Sequence, residues 1–157
     1  MTERHYWDTC TWLDLLHEPG PPAPMGPMRT MWGAVERGAL EVLFSPITLT
    51  ECLFHSAGDR RPYTDPHPSD ALFDATGVVL VQVDRVIGER SRTLRRQHNL
   101  KAPDAIHLAC ALEHNVDHFV TRDRDASLPT LFRKDGKPLT ISTPAEALGG
   151  PLFRGKA

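Results

Sequence analysis

The chain lacks any apolar run of membrane-spanning length, which excludes a transmembrane role as an expectation. No cleavable leader is expected either, since Met1-Thr2-Glu3-Arg4 runs straight into a strand-like segment. Cysteine is scarce: Cys10, Cys52 and Cys110 make an odd, widely spaced set. That set excludes a disulfide framework and points to a reducing cytoplasm, with the three thiols as small buried hydrophobes. Internal repeats are missing too, as is any composition shift that would mark a second unit. Residues 1–157 therefore read as one domain. With 40% hydrophobic and 24% charged residues, it is a soluble globular chain large enough to bury a real core.

A large net charge is likewise absent, the formal value being −2, but the distribution is uneven. Residues 1–84 hold 5 Lys/Arg against 12 Asp/Glu, and residues 85–157 hold 13 against 8. Much of the basic charge falls on Arg85, Arg90, Arg92, Arg95, Arg96 and Lys101, in one predicted helix and its exit. Setting aside four acids discussed below leaves 18 basic against 16 acidic residues. Such a balance is compatible with a polyanionic partner, although an arginine-bearing helix is more often a solvated face.

Strand and helix patterns alternate along the chain. His5-Tyr6-Trp7, Glu41 to Phe44, Val78 to Val81, His118 to Val120 and Leu139 to Ile141 read as strands. Between them lie helical patterns over Thr9–His17, Met28–Gly38, Thr48–His55, Ser69–Ala75, Asp84–His98 and Pro103–Asn115. A closing turn or helix follows at Pro144–Leu148. Residues 56–68 read as an unusually long loop. Val78 to Val81 is a continuous apolar run of the kind buried on both faces. The alternation predicts an α/β fold with a central parallel sheet covered on both faces.

Four acidic residues fall where elements begin or end. Asp8 and Asp123 follow strands, at the edge where open α/β sheets form their ligand crevice. Glu51 and Asp104 are expected in the first turns of helices, where the helix field favours ionised carboxylates. Four convergent oxygens of this kind suit Mg²⁺ or Mn²⁺. Each acid also has a purely structural use. Asp8 and Asp104 are plausible helix caps, and Asp125 is assigned to the turn beside Asp123 or to a supporting place behind the site. Thr48-Leu49-Thr50-Glu51 has the form of a capping box. His107, one turn beyond Asp104, is expected to be structural or to face a partner.

The segments YWDTCTWLDLL, ITLTECL, KAPDAIHLACALEHN, FVTRDRD and TISTPAEAL, in that order, resemble the PIN domain. The similarity is closest to bacterial toxin ribonucleases of VapC type, and it covers nearly the whole chain. It implies a three-layer α/β/α sandwich and metal-dependent hydrolysis of RNA phosphodiesters. Asp8, Glu51, Asp104 and Asp123 take the metal-binding and catalytic positions. Thr9, Arg92, Arg96, Thr121 and Arg122 are candidates to touch the RNA. A small antitoxin would lay an amphipathic segment in a hydrophobic groove, with Trp12, Met28, Met31 and Trp32 as candidate lining, and homodimerisation is expected. Two features depart from the pattern: Cys10 replaces a small polar residue, and the 56–68 loop is long.

Other readings compete. A haloacid-dehalogenase-type phosphatase needs an aspartate where Cys10 stands. A receiver domain needs an early acidic pair and a late lysine. A PIN fold serving as a non-catalytic binding module would show an incomplete acidic set, whereas this one is complete. A PIN nuclease outside toxin–antitoxin systems is a further alternative.

Overall fold

The computed structural model describes residues 2–52 and 66–154. Five parallel strands form one sheet in the order β3-β2-β1-β4-β5. They are β1 (Glu3–Trp7), β2 (Leu40–Phe44), β3 (Val78–Leu80), β4 (His118–Val120) and β5 (Thr140–Ser142). In register, His5 pairs with Val42 on one side and with His118 on the other. Successive strand residues face opposite ways, so Tyr6, Leu43 and Phe119 enter one core while Trp7, Val42, Phe44 and Val120 enter another. Helices cover both faces, giving the three-layer α/β/α sandwich.

The first core lies against α5 (Arg85–His98) and α6 (Ala102–Glu113). Asp84 starts α5 by accepting the Ile87 amide at 3.0 Å, and Ile87, Ser91 and Leu94 form its buried stripe. Helix α6 is buried almost all round, from Ala105 and from His107 to Leu112, because its small alanines let it press against both sheet and α5.

The second core lies under α1 (Thr9–His17) and α2 (Pro27–Glu36). Trp12, Met28 and Met31 are fully buried in it, so they are core residues and not lining for a partner groove. Helix α2 stops at Gly38, whose φ of +71° is open to glycine at no steric cost. Its N–H donates to the Val35 carbonyl at 2.9 Å, and Ala39 N–H donates to Ala34 at 2.9 Å.

Several expectations change. β3 is the sheet edge, with Leu80 43% exposed, so its apolar run is not doubly buried. Helix α3 (Pro46–Glu51) begins two residues before the expected Thr48, with Ser45 as its N-cap residue and Pro46 in its first turn. Thr48 is therefore inside the helix and forms no capping box with Glu51. The capping box of this chain is Thr143/Glu146, at the start of α7 (Pro144–Ala147). A short α4 (Asp70–Phe73) follows the second described stretch's start, and α8 (Pro151–Arg154) was not anticipated. The extension of α3 to His55 and the loop, except for residues 66–68, lie outside the described residues.

Candidate metal and phosphodiester centre

All four acids reach one cleft of about 230 Å³ at the carboxyl edge of the sheet. Asp8 follows β1, Asp123 lies just beyond β4, and Asp104 sits in the first turn of α6. Glu51 arrives differently from expectation: it is the last residue of α3, so no helix N-terminal field acts on it. Thr9, Cys10, His107, Thr121 and Asp125 also line the cleft, over an apolar floor that includes Leu108, Phe119 and Ile141.

Asp8 is both cap and site residue. Its Oδ1 accepts the Thr11 amide at 3.2 Å, and its Oδ2 accepts the Thr121 hydroxyl at 2.5 Å. Thr121 Oγ1 in turn accepts the Asp123 amide at 3.2 Å, so one hydroxyl ties both strand ends together. Burial pushes the Asp8 carboxyl above its ordinary range. The bonds from Thr121 and Thr11 and the nearby His107 oppose that rise, while the Asp123 charge adds to it.

This shift has a consequence for stability. Between the ordinary and the raised Asp8 values the folded protein retains a proton that the unfolded chain has released. Stability must therefore fall as pH rises through that window and level off above it. Thermal melts of the metal-free protein are expected to show this Asp8 contribution, and Asp8→Asn should flatten it. An unchanged slope in the variant would contradict the assignment.

Glu51 is fixed by a chain of hydrogen bonds that runs from its partly exposed carboxylate into the core. Its Oε1 accepts Thr9 Oγ1 at 2.8 Å and lies 2.5 Å from His107 Nε2. His107 Nδ1 lies 2.7 Å from the Tyr6 hydroxyl, which donates to Ser45 Oγ at 2.9 Å. Burial opposes ionisation of Glu51, but the His107 and Thr9 bonds outweigh it and hold the carboxyl below its usual range. His107 lines the cleft and, 3% exposed and bonded at both ring nitrogens, is structural, one of the two roles expected of it. Its spacing from Asp104 was the available signal. Truncation by His107→Ala removes a partner from both Tyr6 and Glu51, and should cost about 1–3 kcal/mol in urea unfolding.

The basic candidates separate. Arg122 flanks the cleft and donates to Asp14 at 2.9 Å, in a half-exposed ion pair of small energetic worth. Arg92 and Arg96 lie on the exposed side of α5 and do not line the cleft. Cys10 does line it, but burial, with Asp8 adding to the effect, pushes its thiol to about 11. It is not a thiolate at neutral pH.

The donor set suits a hard divalent cation. Five carboxylates face the cleft, and among the described residues no Lys or Arg lines it. A carboxyl raised by burial, with the Asp123 charge adding to the rise, is the state that a bound cation would relieve. The four site acids do not, however, draw within a single 4.8 Å span; among the described residues only Glu3, His5 and His118 do, and they lie elsewhere.

The cleft at the carboxyl edge of this parallel α/β sandwich is walled by carboxylates and offers hard oxygen donors. The chain belongs to the PIN domain family, whose profile matches residues 6–129. PIN domains are nucleases that generally use divalent metals. One similar chain comes from a toxin–antitoxin complex of Klebsiella pneumoniae, 26% identical with a TM-score of 0.52. That match covers 80% of this chain and 92% of the other. Another comes from VapBC2 of Rickettsia felis bound to a DNA fragment from its promoter, 12% identical with a TM-score of 0.59. It covers 89% of this chain and 98% of the other, a likeness of fold alone. No curated protein matches the sequence.

Proposed function

We propose that this protein is a divalent-metal-dependent endoribonuclease, the toxin of a type II toxin–antitoxin pair, acting in the cytoplasm as one domain. The observation that carries the reading is the gathering of Asp8, Glu51, Asp104 and Asp123 around one cleft lined by no Lys or Arg among the described residues. Asp8, Asp104 and Asp123 would hold Mg²⁺ or Mn²⁺. Bound there, the ion supplies an acidified water and stabilises charge on the phosphate. Glu51, braced by His107 and Thr9, would present its carboxylate to the cleft to orient a water there. Thr121 keeps the Asp8 carboxylate aimed at the cleft, and Thr9 lies beside it for a substrate contact.

RNA would be held by its backbone, with Arg122 beside the cleft and Arg92 and Arg96 farther along the surface. The toxin assignment is supported by likeness to a chain of the Klebsiella complex. It carries with it a small antitoxin partner and a homodimer. The test is cleavage of a fluorescent RNA oligonucleotide by the purified full chain. Cleavage is expected with Mg²⁺ or Mn²⁺ and should stop with EDTA. Equal cleavage in EDTA, or none with any divalent ion across varied RNAs, would overturn the reading. Co-expression with the neighbouring small open reading frame should yield a stable, inactive complex.

A further inference from the structure

A second cluster of ligating side chains lies at the opposite edge of the sheet, where β1 and β4 begin. Glu3 and His5 are two apart on β1 and therefore point to the same face. His118 is the register partner of His5 on β4, which brings the two imidazoles together with ring centroids 4.8 Å apart. Three atoms converge here. Glu3 Oε1 is 2.8 Å from His5 Nε2 and 3.6 Å from His118 Nε2, and all three donors lie within 4.8 Å of one another.

We propose that Glu3, His5 and His118 form a binding site for a borderline divalent transition metal of the Zn²⁺, Co²⁺ or Ni²⁺ class. Two neutral imidazole nitrogens with one carboxylate suit such ions, whereas the all-oxygen cleft suits Mg²⁺ and Mn²⁺. The 3.6 Å separation between Glu3 and His118 is too long for a hydrogen bond. It is close to the roughly 3.3 Å that two ligands span across a tetrahedral ion at bond lengths of about 2.0–2.1 Å.

The surroundings already orient the ligands. His118 Nδ1 lies 3.2 Å from the Ser142 hydroxyl on β5. That bond leaves Nε2 for the ion, the arrangement usual for ligating histidines. His5 is fully buried and its Nδ1 has no partner, so the ring's polar chemistry is confined to Nε2. Gly150, between α7 and α8, lies beside the cluster, where a Cβ would stand in van der Waals contact, 3.9 Å from His118 Nε2. An ion held here would clamp β1 to β4 at the end of the sheet remote from the acidic cleft. The site therefore does not depend on the nuclease reading.

The test uses the full chain and Zn²⁺ alone, titrated in the Asp8→Asn background to weaken the acidic cleft. Calorimetry should show one Zn²⁺ per chain, with His118→Ala or Glu3→Gln weakening it about tenfold or more. In parallel, long-range ¹H–¹⁵N spectra of the wild-type imidazoles should show the Nε2 resonances of His5 and His118 shifting with Zn²⁺ and not with Mg²⁺. This second readout stands even where a variant fails to fold. Static His5 and His118 resonances, or Zn²⁺ uptake untouched by both variants, would overturn the site.

Discussion

Asp8→Asn is expected to lower RNA cleavage about a thousandfold, equivalent to roughly 4 kcal/mol of lost transition-state stabilisation. The same variant should raise the melting temperature of the metal-free protein at neutral pH. Both effects follow from one residue. The asparagine keeps the size of the side chain, and its oxygen can still accept the Thr11 amide that caps α1. What it removes is a half-buried negative charge that burial and Asp123 disfavour in the fold. The metal-free protein therefore gains stability while the centre loses a ligand. Mn²⁺ should raise the melting temperature of the wild type more than that of the variant, since only binding to the native state stabilises it. A variant that cleaves RNA at the wild-type rate would remove Asp8 from the centre.

Trp12→Ala should cost about 3–5 kcal/mol in urea unfolding, a large share of the stability of a domain this size. Trp12 is fully buried and sits at the middle of an aromatic cluster. Its ring centroid lies 5.0 Å from Trp7, 4.9 Å from Phe73, 6.0 Å from Phe44 and 6.4 Å from Trp32. Its indole N–H has no partner, so truncation orphans no polar group and the loss is one of packing. The cluster joins α1 to the sheet immediately after Asp8, and loosening it should also weaken metal binding. A cost below about 1 kcal/mol would show that α1 is not anchored this way.

Much of this molecule is legible in the sequence because strand tips and helix starts carry strong local signals. Asp8 was readable because an apolar strand and a helical pattern meet at it. Asp84 and Gly38 marked the start of α5 and the end of α2 through chemistry that acts within four residues. The errors fall where the answer depends on distant partners. TLTE and TPAE satisfy the same capping pattern, yet only Thr143 and Glu146 use it, because Ser45-Pro46 starts α3 ahead of Thr48. The apolar run of β3 did not reveal that it forms the sheet edge, which strand order alone decides.

His107 is the most instructive residue, since a structural role was expected of it but its partners were not. A helix with one apolar stripe would have left it outside, but α6 is enclosed on nearly every side, so its polar residue points inward and meets Tyr6 and Glu51. The sequence brought the four acids to the right edge of the sheet. It could not show that Glu51 reaches the cleft from the end of a helix and is held there by an imidazole.

The central claim is that these carboxylates form one divalent-metal centre. A crystal of the wild-type chain grown with Mn²⁺ tests it most directly. An anomalous peak about 2.1 Å from oxygens of Asp8 and at least one of Asp104 and Asp123 is the predicted result. Mn²⁺-dependent cleavage by a protein whose crystals place no ion in this cleft would contradict it.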